Sequence, residues 1–591
     1  GTNFTNSLLV GTDSTGTLSS ADGNTGVGTG VFGALTTGDN NVAVGLNALD
    51  VNTTGSKNVA VGCGSLDANT TGNNNTALGK DALGANTTAA NNTSVGYESL
   101  SKNTTGTSNT AIGQLALAEN TTADNNTAVG RLALYLNTTG TENTAVGSGA
   151  LDSNTTAGCN TSIGHGSMGD NTEGANNAAV GRSALGSNTT GTSNVAIGRS
   201  SLTLNTTATG NTATGAFSLN ANTTGASNVG LGWQALTANT TGCRNVAVGS
   251  LAGLAITTGI ENVAIGYESL KNEDAHGRNT AVGTQALFAQ NAGADAYNVA
   301  VGYQAGAAIS TGVQNTMVGA FSGDGITTGQ YNVGVGIHAV GSTTTASNNT
   351  GLGYNALFTN TTGHSNTAVG IYSLNNNTTG FCNVAIGKNA LLANTTTCKN
   401  VAIGSDALCS HTVNGVENTA VGHGAQKSNT EGYYNTSVGK NSLVNVTTGD
   451  NNISLGRDSG ADAVRNITSG DNEIVIGNNS NGSAFIKIDW TVTSDLRDKT
   501  NIEDVPHGLN FINQITPIKY KFKTSREDET PLGRARFGFK AQEILELEGD
   551  NPILVNNEDT DNLKLTGAYL VPVLVNAIKE LKAEIDELKK G

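Results

Sequence analysis

Asn41-Val-Ala-Val-Gly-Leu-Asn-Ala-Leu-Asp-Val-Asn-Thr-Thr-Gly-Ser-Lys57 is followed at once by Asn58-Val-Ala-Val-Gly62, so the chain begins to repeat itself after 17 residues. Its glycine, Gly45, belongs to a series running from Gly11 to Gly283 without a slip; the step is then 19 to Gly302, 17 as far as Gly404, 18 to Gly422 and finally 21 from Gly456 to Gly477. Seventeen glycines to Gly283, seven to Gly404, three to Gly456 and Gly477 itself mark 28 coils. A fixed short period over such a length is the signature of a solenoid, in which each unit buries its apolar surface only against its neighbours.

Within a coil, Val, Ile or Leu precedes the phase glycine (Val44, Val61, Leu78, Val95, Ile112), and a leucine often follows four residues after it (Leu49, Leu66, Leu83, Leu100). The segment is too short for a helix, and its β-branched residues and alternation predict a strand of four or five residues. Asn-Thr-Thr-Gly then reads as a turn. In such a strand the residues one and three before the glycine form a bulky face, while the alanine two before it and the glycine form a bare one. The bare face admits another backbone, from the opposite wall of the coil or from a neighbouring chain. Asparagine stands four before the glycine in 26 consecutive coils, Asn24 to Asn452; stacked at strand spacing, these amides predict a hydrogen-bonded ladder along the axis. At about 4.8 Å per coil the whole array predicts a shaft on the order of 130 Å.

Composition places the end of the shaft. All five prolines lie between Pro506 and Pro572, and 15 basic and 19 acidic residues fall in 482–591; the totals of 30 and 46 leave 15 and 27 for the first 481 residues. The organisation expected is a solenoid over 1–480, a connecting strand or linker over 481–493 and a separate domain over 494–591. Charge-poor, net acidic coils argue against a nucleic-acid-binding face. No apolar run of membrane-spanning length is present, and no stretch reads as a secretory signal, so no membrane insertion is expected. The chain opens at Gly1, which leaves room for an upstream segment.

The six cysteines (Cys63, Cys159, Cys243, Cys382, Cys398, Cys409) contain no CxxC pair, so neither a zinc site nor a disulfide framework is expected, and they read as free, small apolar residues. No metal and no cofactor are expected. The Asn-Thr-Thr turns match the glycosylation sequon many times, as any turn built from Asn and Thr does. Trp233 reads as an aromatic filling a variable position. If the shaft binds a receptor, Gln290–Tyr297 and Asp458–Arg465 are the expected places, because ligands engage departures from a uniform scaffold.

The recurring Ala-Val/Ile-Gly-x-x-Ala/Ser core resembles the head repeats of trimeric autotransporter adhesins, whose coils are shorter; the resemblance implies a parallel β-roll, trimeric in assembly. After the last coil comes Thr493-Ser-Asp-Leu-Arg-Asp-Lys-Thr-Asn-Ile502. Ser494-Asp495, Arg497, Lys499 and Asn501-Ile502, then Gly508-Leu509, Pro517, Tyr520 and Lys523, Gly538-Phe539 with Ala541-Gln542-Glu543, and the closing run of Tyr569 to Pro572, Ala577, Ile578, Glu580 and Leu581 occur in the order of a known family. Over about 98 residues the chain resembles the C-terminal intramolecular chaperone of endosialidase-type phage tailspikes and related viral fibres, self-cleaving Ser/Lys peptidases.

The resemblance implies Ser494 as nucleophile, Lys499 as its base and scission of the Thr493–Ser494 bond. A serine hydroxyl needs a base to take its proton, and lysine serves when burial lowers its pKa. Asp495, Arg497 and Asp498 are expected to form ion pairs. In the terminal segment, Val571, Leu574, Ile578, Leu581, Ile585 and Leu588 are spaced 3, 4, 3, 4, 3, a seam of about three heptads. Its residue types favour two strands by the simple rule, whereas the family implies three.

The expectation is thus a mainly β, parallel solenoid shaft followed by a small α+β chaperone domain ending in a coiled-coil helix. The function expected is a homotrimeric virus or phage fibre for host attachment, made in the host cytoplasm and carried on the virion. Its partners are its own copies, a host surface receptor or glycan, and other virion proteins at its N-terminal end. Enzymatic activity is expected only as single-turnover autoproteolysis. The alternatives are a cellular adhesin bearing the same chaperone, a polysaccharide-degrading spike, disfavoured because the coils hold no paired carboxylates that depart from the repeat, and an ice-binding threonine array.

Overall fold

In the coil that begins at Asn58, only Val59–Val61 is strand. It pairs in parallel and in register with Thr76–Leu78 of the next coil, Ala60 opposite Ala77. The computed structural model describes residues 4–11, 16–462, 464–481, 485, 487, 493–523, 526–558 and 560–591, and the expected linker over 481–493 lies mostly outside them. The chain forms two units, Gly1–Gly380 and Phe381–Gly591. The first is coils alone; the second has six coils followed by a small α+β domain. The coils of both units form a parallel β-solenoid: the 17-residue period predicts the solenoid, and the resemblance to adhesin head repeats the parallel pairing.

Left-handed backbone turns the corners. Each regular coil places non-glycine or glycine residues at positive φ two and four residues after the phase glycine and five before it, as at Gly64 (66°), Leu66 (51°) and Lys57 (60°). A leucine in this region costs about 1 kcal/mol, which full burial of its side chain, about 2 kcal/mol, offsets. Leu49, Leu66, Leu83 and Leu100 are completely buried. The expected longer strand is therefore three residues, with the leucine beyond it in a turn.

The phase glycine has a sharper reason than a turn. Gly62 has φ 138°, and a Cβ there would lie 2.3 Å from the carbonyl oxygen of Gly79 in the next coil. The close approach comes from the succeeding coil of the same chain, neither the opposite wall nor another chain. Hydrogen bonds follow the same axis well outside the strand, including Leu66 N–H to Ala82 O (3.1 Å) and Thr70 N–H to Thr87 O (2.8 Å).

The core lies on the bare face of the strand. Ala43, Ala60 and Ala77 are fully buried beside the leucines, and in other coils Ser94 and Met317 take the same position, equally buried. The bulky residues point outward: Ile112, Ile197 and Leu352 are 40%, 42% and 45% exposed. Among the described residues, the strands that precede the phase glycines carry no charged residue; Asp22, in the short Ala21–Asp22 strand, lies outside that series.

Two buried asparagine columns line the interior. In the predicted one, Asn41 N–H donates to Asn24 Oδ1 (2.9 Å), while Asn41 Nδ2 donates to Asn24 Oδ1 (3.0 Å) and Gly55 O (2.9 Å). The second column is the asparagine of the Asn-Thr-Thr turn: Asn69 Nδ2 donates to Asn52 Oδ1 (2.8 Å) and Gly72 O (3.1 Å). These sequon asparagines are fully buried, so the folded coil hides them from any modifying enzyme.

Irregular coils keep strand register. Val299 still faces Thr280 across the 19-residue step, Thr419 faces Val401 across the 18-residue step, and Ile474 faces Ile453 across the 21-residue step. Of the two stretches expected to engage a receptor, Gln290 is buried in the second column and accepts from Asn298 Nδ2 (2.8 Å), and Arg465 is ion-paired with Glu473. Trp233 is half-exposed. All six cysteines are free, but Cys63, Cys159 and Cys382 are exposed, so they are not the buried apolar fillers expected.

His411 takes the second-column position in its coil and is fully buried. Its Nε2 stands 2.7 Å from Gly415 O, an N–H donated to a carbonyl, and Nδ1 is buried without a partner. Burial holds this imidazole below the usual histidine range, so the folded coil favours the neutral ring. The stability that follows is present above the unfolded pKa of about 6.5 and is lost as pH falls below it.

Two predictions follow from this packing. Gly130→Ala places a Cβ 2.6 Å from the backbone of Gly147, whereas Gly84→Ala meets nothing closer than 3.4 Å; hydrogen exchange should show loss of several kcal/mol of protection around Gly130 and change within about 0.5 kcal/mol around Gly84. Protection of the coil containing His411 should fall between pH 7 and pH 5, and His411→Asn, which restores the column's usual residue, should abolish that loss.

Candidate functional site

The coil pattern ends at Gly477, and described chain resumes continuously at Thr493. Asp495 caps a short 3-10 turn, Leu496–Asp498, by accepting from Arg497 N–H (2.9 Å). Arg497 Nη2 returns to the same carboxylate (2.5 Å), and this hydrogen-bonded guanidinium holds Asp495 below the usual carboxylate range. The Lys499 N–H donates to Leu496 O (3.2 Å), closing the turn.

One consequence of that turn is chemical. It folds residue 499 back over residue 494, and Lys499 Nζ lies 2.9 Å from Ser494 Oγ. This is hydrogen-bond reach for a nucleophile and its base. Both residues, and Thr493, are exposed. The burial invoked for the lysine is therefore absent from the single chain. Of the expected ion pairs, Asp495–Arg497 is present.

Behind the turn stands a small domain. Helix α1 (Leu509–Gln514), α2 (Ala541–Glu548) and α3 (Leu570–Leu588) meet around Phe511, Ile515, Ile544, Leu554, Val555, Leu570 and Val573. Glu580 of α3 accepts the Leu509 N–H (2.6 Å), satisfying one of the donors left open at the start of α1. Gly508 makes room for it, since a Cβ there would fall 2.0 Å from Glu580 Oε1. Asn576 Nδ2 donates to Val505 O (3.0 Å), and the Glu548 carboxylate accepts from Ile553, Leu554 and Val555 N–H.

Two surfaces of this domain are open. In α3 the inward residues are Leu570, Val573 and Ala577, whereas every residue of the predicted seam is exposed, Ile578 by 65%. The helix does pack on its own domain, but with a different face from the seam. The antiparallel hairpin of Ile518–Lys523 and Pro531–Gly538 is mostly exposed, with Phe537 at 86%.

The molecule is thus a β-solenoid protein carrying a C-terminal α+β domain whose first residues form a serine–lysine contact. Residues 494–551 match the family model of Peptidase S74, the chaperone of endosialidase, and no curated protein and no solved structure matches. The match begins at Ser494 and stops before the closing run of Tyr569 to Leu581.

Sequence reasoning found Ser494 and Lys499 through the family resemblance, and the structure brings them together. It named Gly508, Leu509 and Glu580 as family residues without showing that the three meet, the Leu509 N–H donating to a carboxylate 71 residues away. Because both substitutions remove the same cap, Gly508→Ala and Glu580→Ala should each lower protection of the Leu509–Gln514 amides by about 1–2 kcal/mol. The double variant should lose no more than either single one; full additivity would show that the two act separately.

Proposed function

We propose that this chain is the shaft of a homotrimeric viral or phage fibre that serves host attachment. Its C-terminal domain sets three chains in register as they fold and is then severed at Thr493–Ser494. The observation that carries this reading is the 2.9 Å contact of Lys499 Nζ with Ser494 Oγ at the first residue of the chaperone match.

The chemistry is one acyl transfer followed by hydrolysis. Lys499, once neutral, takes the Ser494 hydroxyl proton as Oγ bonds to the Thr493 carbonyl carbon. The C–N bond to Ser494 breaks, the proton passes to the departing nitrogen, and water cleaves the resulting ester. Oγ belongs to the residue next to that carbonyl, so attack is intramolecular and needs no substrate pocket. A lysine is a poor base while solvated, and in this reading the neighbouring chains supply the missing burial. Cleavage then follows assembly.

Open apolar surface supports the trimer. The residue before each phase glycine is aliphatic in every coil except that of Thr214, and it faces outward on a strand without charge. At a few tens of Å² per coil, the 22 coils of the first unit present on the order of 1,000 Å². That exceeds the 300–600 Å² of the largest patch on a typical monomer and the roughly 800 Å² each partner gives a stable interface. The α3 seam presents a second such surface.

The test is mass and gel. Wild-type protein should sediment as a trimer and release a fragment of about 98 residues, while Ser494→Ala and Lys499→Met should assemble but stay full length. Ile578→Asp should lower both assembly and cleavage. A Ser494→Ala protein that still releases the fragment, or a monomeric wild type that cleaves fully, would refute the proposal.

A further inference from the structure

In one coil of the first unit the second asparagine column is broken by a carboxylate. Glu273 occupies the column position and is fully buried. The residue below it in the stack is the buried Ile256, which offers no hydrogen bond. Glu273 Oε1 accepts from His276 N–H (3.2 Å), but Oε2 is buried with no partner, and so is Nδ1 of His276. An isolated buried carboxylate oxygen is costly wherever nothing positive or hydrogen-bonding meets it.

The same turn brings a third donor. Asp274 directs one carboxylate oxygen to the Ala275 N–H, and a ligand atom from each of Glu273, Asp274 and His276 lies within 4.8 Å of the others. Neighbouring coils hold the frame: Asp274 O accepts from Thr257 N–H (2.6 Å) and Thr257 Oγ1 (3.0 Å). Gly277 N–H donates to Asp295 Oδ1 (3.0 Å), and His276 O accepts from Asn262 Nδ2 (3.2 Å).

We propose that Glu273, Asp274 and His276 form a divalent transition-metal site, with zinc the metal that best fits its donors. Two carboxylates and an imidazole suit zinc better than calcium or magnesium, which take oxygen ligands. Metal–ligand bonds of about 2.0–2.2 Å bring tetrahedral ligands to roughly 3–4 Å from one another, so the three donors need only a small closure, with water in the remaining position. The cation compensates the Glu273 oxygen that no hydrogen bond reaches, and it pins a turn in which Glu-Asp-Ala-His replaces the usual Asn-Thr-Thr-Gly. Sequence reading looked to cysteines for zinc and missed this cluster.

One competitor sits in the next coil, where Gln290 Nε2 is also buried without a partner. A bond from Gln290 Nε2 to Glu273 Oε2 would continue the column and leave the carboxylate no need of a metal. The two cases separate by titrating zinc chloride into full-length protein after chelator treatment and alkylation of the free thiols. Calorimetry should find one zinc per chain that binds at least tenfold more weakly in both Glu273→Gln and His276→Asn, and unchanged in His364→Asn at an exposed histidine. Glu273→Gln should fold, since glutamine already serves at this position in the next coil. Zinc should also raise the melting temperature of the wild type and not of those two variants. Equal binding by all four proteins, or no zinc uptake by the wild type, would overturn the site.

Discussion

The structure depends on how closely two backbones can stack. At each phase glycine of the regular coils the carbonyl of the next coil occupies the place a Cβ would take, and φ there, near 135°, is one that side chains rarely adopt. This approach fixes the pitch of the stack. With the pitch fixed, the backbone can hydrogen-bond along the axis well beyond the three strand residues, and the asparagine amides fall at a repeat their side chains can bridge. The interior left between these columns is narrow, so alanine and one leucine per coil suffice to fill it.

In the trimer proposed above, the same economy creates a problem of register. Coils that differ by a few residues bind their neighbours almost equally well, so chains pairing one coil out of phase lose little energy. In that proposal, a separate domain that aligns its copies before the coils assemble removes the degeneracy, and severing it afterwards makes the aligned product hard to unmake. The C-terminal domain leaves the seam of α3 and its hairpin exposed, and the serine–lysine contact lies at its first residue.

Much of this was legible because periodicity is a one-dimensional property. The 17-residue period, the stacking of coils and the first asparagine column follow from Gly11 to Gly477 and Asn24 to Asn452 alone, and the parallel pairing from the resemblance to adhesin head repeats. Ser494 and Lys499 were legible through the family resemblance alone, and the short turn between them is what brings their side chains together. What escaped were facts of orientation. Leu66 reads as part of a strand until it is seen at positive φ, and Asn69 reads as a solvated turn residue until its amide is seen inside the coil. Ile112 reads only as part of the bulky face until its strand is seen to turn that side outward. Glu273 and His276 carry no recognisable spacing, since the burial that isolates the carboxylate comes from the coils around it.

By itself the sequence determined the repeat, its length, its breaks and its end, because each is set by which residues recur and where recurrence stops. Only the tertiary structure decided which face of the strand is inside, which asparagines are buried, that Gly508 and Glu580 meet, and that Lys499 is left in solvent. These depend on what lies one coil or one helix away, at separations of 17 residues or more. An alternating strand has two sides that sequence describes equally well, and only the neighbours filling one of them make it the core.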